Sequence, residues 1–110
     1  MPLRESIETD YKTALKSKDK NKISTYRLIL SGIKDLDINN RSVTEKKETD
    51  DEDIKKLLKK MIKQRSESID LYKKNNRKDL QDIEEQEVGV ISQYYLNKLV
   101  KRILRKFVKK

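Results

Sequence analysis

Between Thr49 and Tyr72 the apolar residues follow a spacing that only a helix can use. Ile54, Leu57, Leu58, Met61, Ile62, Ile69 and Tyr72 fall on one side, while Lys55, Lys56, Lys59, Lys60 and Lys63 cover the other. A strand would scatter the same residues over both of its faces. The chain offers little to interrupt such runs, with one Pro and two Gly in 110 residues. With 34% apolar and 43% charged residues, any core must be thin. The pattern predicts an all-α protein of four helices, followed by a basic amphipathic helix at the C-terminus.

The first helix carries Leu3, Ile7, Tyr11, Ala14 and Leu15 on one face and ends near Lys18. Asp19 suits the N-cap of a second, longer helix whose inner side uses Ile23, Tyr26, Leu30, Ile33 and Leu36. Gly32 within it costs about 1 kcal/mol relative to Ala, which fits either a close helix crossing or ordinary packing tolerance. Asn39 to Ser42 ends this helix, and polar residues to Glu48 read as a long loop. Thr49 with Glu52 makes a capping-box pattern for the third helix, and Asp50, Asp51 and Asp53 complement its dipole. Asn75-Asn76 closes it, since Asn tolerates the left-handed conformation, and Asp79 stands near the next N-terminus. The fourth helix shows Leu80, Ile83, Ile91 and Tyr94 on one side, with Glu87 on that same side.

A carboxylate on a buried face needs a cation or hydrogen-bond donors. Arg65 and Arg77 are the natural partners of Glu87, and Arg27 is the third. One reading is a structural ion pair of Glu87 with Arg65 and Arg77. The other is a phosphate-facing cluster of Arg27, Lys63, Arg65 and Arg77. The five lysines of the third helix lack interleaved aromatic residues for base stacking and read as a solvated face.

There is no Cys and no His, which removes disulfides, thiolate nucleophiles, the commonest general base and the usual zinc ligands. No metal and no cofactor are expected. No stretch approaches the roughly 20 apolar residues of a membrane span, and the N-terminus lacks a signal peptide's apolar core, so a cytoplasmic location is expected. The net charge of +9 is concentrated at one end. Seven of the 28 basic residues follow Asn97 with no acid among them, so residues 1–96 hold 21 against 19 acids, a balance of only +2.

Several runs together resemble the GatB/YqeY family of small helical domains. They are Lys63-Gln64-Arg65-Ser66-Glu67-Ser68-Ile69, Asn76-Arg77-Lys78-Asp79-Leu80, Glu84-Glu85-Gln86-Glu87 and Gln93-Tyr94. Lys16 to Lys20, Arg27-Leu28-Ile29 and Ile33-Lys34 match the family's opening hairpin. The resemblance covers residues 3–94 as one YqeY-like helical domain and implies kinship with the C-terminal module of the B subunit of the tRNA-dependent amidotransferase. It therefore implies a non-catalytic, tRNA-associated module, with tRNA or amidotransferase subunits as partners. Within the matched region the expected phosphate contacts are Arg27, Lys34, Lys63, Arg65 and Arg77. Two alternatives stand beside it: a carbon-nitrogen ligase taking its amide nitrogen from glutamine, and a protein-interaction domain or defective fragment. The ligase needs an activated nucleophile, yet Ser24, Ser31, Ser66 and Ser68 have no His to partner them. In a fragment, apolar surface around Ile91 and Tyr94 would be uncovered.

Residues 95–110 depart from the family pattern. Where relatives of this type continue with Leu-Pro and an acidic helix start, this chain has Tyr95-Leu96-Asn97 and then a cationic amphipathic run. Its apolar members are Leu99, Val100, Ile103, Leu104, Phe107 and Val108. Taken alone, such a run suits RNA or an anionic membrane surface. A one-base frame shift with suitable codons after Tyr94 restores Leu-Pro and Ser-Glu-Glu-Asp-Ile together, so the tail reads as a possible frameshift product.

Overall fold

The computed structural model describes residues 2–41, 49–96 and 98–104, and helices are its only regular elements among them. They are α1 (Leu3–Ser17), α2 (Lys20–Arg41), α3 (Asp51–Lys74), α4 (Lys78–Ile91) and α5 (Lys98–Leu104). The expected loop over 42–48 and the tail beyond Leu104 lie outside the described residues. The chain divides into two compact units, Met1–Leu57 and Leu58–Lys110, and the division falls inside α3. No described helix is long and apolar enough to cross a membrane.

In the first unit α1 packs against α2. The connection is short because Lys18 takes the left-handed conformation, φ 60°, and its N–H donates to the Leu15 carbonyl. Asp19 then caps α2, its Oδ1 accepting the Lys22 N–H at 3.2 Å. Ile7 and Ala14 of α1, Tyr26, Ile29 and Ile33 of α2 and Ile54 of α3 are buried. Thr25 is buried with them, its hydroxyl donating to the Asn21 carbonyl one turn back. The expected inner face of α2 is turned slightly. Ile29 is fully buried, while Ile23, Leu30 and Leu36 are half-buried.

One end of this unit is tied by polar contacts between residues distant in sequence. Arg4 grips Asp37 through two bonds, Nη1 to Oδ2 at 3.1 Å and Nη2 to Oδ1 at 2.6 Å. The Leu3 N–H donates to Asp51 Oδ1 and Asn40 Nδ2 to Thr49 Oγ1. The capping box of α3 is therefore shifted by one residue from the expected Thr49 and Glu52. Asp50 is the cap, accepting the Asp53 N–H at 2.9 Å while Asp53 accepts that of Asp50 at 3.3 Å. Thr49 instead accepts the bond from Asn40.

In the second unit α3 runs on from Leu58, turns at Asn75-Asn76 and leads into α4. Asn76 takes the left-handed conformation, φ 55°. Leu58, Met61, Ile62 and Ile69 of α3 are buried, as are Val88, Val90 and Ile91 of α4. The expected inner face of α4 is rotated, because Ile83 is 44% exposed and Glu85 only 3%. Helix α5 packs against α4, with Val100 and Ile103 buried. Ile91 is fully buried and Tyr94 half-buried, so the patch expected to be uncovered around them is not open.

Candidate nucleic-acid interface

The five cations expected to face phosphate have different fates. Arg65, on the inner side of α3, donates from Nε to Glu87 Oε1 at 2.8 Å and from Nη1 to the Met61 carbonyl at 3.1 Å. The two side chains keep only 11% and 14% of their exposure. A guanidinium so enclosed has little left to offer an external phosphate.

Arg77 lies elsewhere. It donates from Nε and Nη2 to the two carboxylate oxygens of Asp79, both at 3.2 Å, on an exposed surface. The expected pairing of Arg77 with Glu87 is thereby corrected. Arg77 is the residue from which α4 starts, so Asp79 is in its first turn. Glu87 is eight residues beyond Asp79, about 12 Å further along the axis at 1.5 Å per residue. Bonding to Arg77 holds the Asp79 carboxyl below its ordinary value, with the Leu80 N–H adding to the effect.

Lys63 is exposed on α3 and has no carboxylate within ion-pair distance among the described residues. Lys59 and Lys60 share that condition, whereas Lys55 pairs with Glu52 at 3.5 Å. In the first unit Arg27 and Lys34 are exposed on α2. Arg27 donates from Nε to the Tyr11 hydroxyl at 3.2 Å, which holds its stem but leaves its charge uncompensated. The third suggested partner of Glu87 is thus engaged with α1.

The acid side of the second unit is built inward. Glu84 lies near Glu87, and burial first, then the Glu87 charge, push its carboxyl above the ordinary range against the pull of Arg65. Glu85 is almost wholly buried and accepts a bond from Gln81 Nε2 at 3.2 Å. It also lines a groove of about 320 Å³ with Asp70, Lys73 and Arg102. Both signs of charge meet there, so the groove does not select an anion or a cation. Among the described residues no group of three or more Asp or Glu is placed to hold a metal ion.

The sequence is similar to a set of known proteins. A family model described as Yqey-like protein matches residues 4–110. Two proteins named altered inheritance of mitochondria protein 41, mitochondrial, are among the relatives. The one from Lachancea thermotolerans is 37% identical over 89 residues, covering 81% of this chain and 46% of that protein. The one from Vanderwaltozyma polyspora is 39% identical over 88 residues, covering 80% and 45%. An uncharacterized protein of Schizosaccharomyces pombe is 33% identical over 81 residues, covering 74% and 62%. The chain thus spans about half the length of the first two relatives. Their names correct the expectation of a cytoplasmic location, since these relatives are mitochondrial proteins by name.

Proposed function

The chain belongs to the YqeY-like family over residues 4–110, and from that membership we propose a non-catalytic, tRNA-associated binding module. The observation that supports this reading is how the cations divide. Arg65 and Arg77 are neutralised by Glu87 and Asp79, while Lys63, Lys59 and Lys60 stand exposed without acidic partners among the described residues. Lysines of this kind suit a phosphodiester backbone, where charge matters more than geometry and no base need be read. Arg65, enclosed with Glu87, serves the fold instead. The sequence has neither Cys nor His, so amide transfer from glutamine would need a serine activated by a lysine, and no such hydrogen bond is present among the described residues.

The test is the salt dependence of tRNA binding by the whole chain. Each phosphate left without its lysine should lower the slope of log K against log salt by roughly 0.7 to 0.9. Replacing Lys59, Lys60 and Lys63 together by Gln should therefore flatten the slope by roughly two units or more. Absence of salt-dependent tRNA binding by the unaltered chain, or an unchanged slope in the triple variant, overturns the reading.

A further inference from the structure

Helix α2 carries a second cationic array with a period of its own. Lys20, Arg27, Lys34 and Arg41 follow one another at intervals of seven residues, and all four are exposed. Seven residues bring a helix back to nearly the same face, drifting about 20°. The four side chains thus form a row along the helix, about 10 Å apart at 1.5 Å per residue. At about 100° per residue the row starts nearly opposite the buried Tyr26, Ile29 and Ile33 and drifts toward their flank by Arg41. None of the four has a carboxylate within ion-pair distance among the described residues, although the Arg41 charge reaches Asp37 at longer range.

Apolar surface accompanies the charge. Leu28 is 47% and Ile38 54% exposed, and a shallow groove of about 480 Å³ runs past Lys20, Ile23, Ser24, Arg27 and Leu28. Ser24 and Ser31 adjoin the row and are exposed, as is Asp35 one turn beyond Ser31. A cation every seventh residue beside a strip of small and aliphatic residues is the arrangement by which one helix selects another through interhelical ion pairs.

We propose that the outer face of α2 is a docking surface for an amphipathic α-helix of a partner protein that presents a carboxylate every seventh residue. The match is one of period and sign. An acidic helix repeats at the same interval of about 10 Å along a nearly straight line, whereas the phosphates of a duplex strand, three steps of about 3.4 Å later, have wound away from that line. Leu28 and Ile38 would be covered by such a helix and gain nothing from phosphate. A second copy of this chain cannot supply it through the same face, because like charges would then oppose one another. The proposal goes beyond RNA association and reassigns Arg27 and Lys34 from phosphate to carboxylate.

The probe is a synthetic amphipathic peptide of about 21 residues, three heptads, with Glu at every seventh position beside a Leu and Ala strip. Calorimetry with the whole chain should show it binding at least about tenfold more tightly than a scrambled peptide of the same composition. Arg27→Glu with Lys34→Glu should abolish that preference, and a peptide carrying Lys in place of Glu should restore binding to the double variant. Circular dichroism checks that the variant is folded. If it is not, Lys20→Gln with Arg41→Gln makes the same comparison with a smaller loss. Equal binding of the scrambled peptide overturns the proposal. Loss of tRNA binding in the Arg27 and Lys34 variant, with peptide binding intact, overturns it too and makes α2 an RNA surface. A chain that binds the peptide but no tRNA leaves α2 as proposed and removes only the RNA reading.

Discussion

Arg65 and Glu87 meet at 2.8 Å with nearly all of both side chains withdrawn from solvent, joining α3 to α4 within the second unit. A pair in such surroundings is costly to half-remove, because the survivor keeps its charge and loses its partner. Arg65→Ala should destabilise the chain by about 3 kcal/mol. Arg65→Met combined with Glu87→Leu should cost much less than Arg65→Ala alone. Urea unfolding of the single and double variants checks both. A double variant as unstable as the single one would mean that the shape of the pair, rather than its charge, is what the site requires.

The nearby Glu84 gives this unit a pH dependence of unusual sign. Its carboxyl is raised above 4.5 in the folded chain, so the folded state favours the protonated form. The stability this contributes is fully present below the ordinary value and is lost as pH rises through the raised one. Glu84→Gln should therefore stabilise the chain at neutral pH and have little effect near pH 4, read as the urea midpoint across that range. Asp37 works in the opposite direction. The bond from Arg4, then that from Thr49, hold it below 3.8, so its contribution is present at neutral pH and fades in acid below that value. Asp37→Asn should remove that acid-sensitive part.

The two glycines should respond differently to the same substitution. Both are inside helices, where Gly to Ala gains up to about 1 kcal/mol when there is room. At Gly89 a new Cβ meets nothing within 4 Å, and Gly89→Ala should stabilise by close to that amount. At Gly32 it would lie 2.9 Å from both terminal methyls of Leu57, so the side chain must move and the gain is offset. Thermal unfolding of Gly32→Ala alone and with Leu57→Ala separates the two effects. Only in the second background should the alanine help.

Lys18 holds a left-handed conformation that a side chain disfavours by about 1 kcal/mol or more. Lys18→Gly should raise stability by about 0.5–1 kcal/mol, measured by thermal unfolding, since it relieves the backbone without breaking an ion pair among the described residues.

The helices were legible because their signals are local. The spacing of Ile54, Leu58, Met61 and Ile62, the cap at Asp19 and the break at Asn76 depend on a few neighbouring residues. The rotation of α4 was less accessible. Its apolar residues are too few to fix a face, and Glu85 is buried while Ile83 is exposed, the reverse of what hydropathy suggests. A buried carboxylate with a donor such as Gln81 can be as well accommodated as an isoleucine, but the donor is known only from the fold. The same holds for the cations. Charge alone could not tell Arg65, enclosed by Glu87, from Lys63, which stays in solvent. The heptad of Lys20, Arg27, Lys34 and Arg41 was present in the sequence throughout. What gave it meaning was that all four stay exposed while Tyr26, Ile29 and Ile33 of the same helix are buried.

The short turn at Lys18 and Asp19 also bears on how the chain reaches its fold. It leaves α1 and α2 to close on each other across a loop of a few residues, and Tyr11 and Arg27 meet soon after each other in sequence. Contacts of such short range form without a large loss of chain entropy, which is characteristic of domains that fold in microseconds to milliseconds. The clasp of Arg4 on Asp37 and of Leu3 on Asp51 spans far more chain. On a growing polypeptide the hairpin can therefore form early, while the Leu3 clasp must wait for Asp51 to emerge.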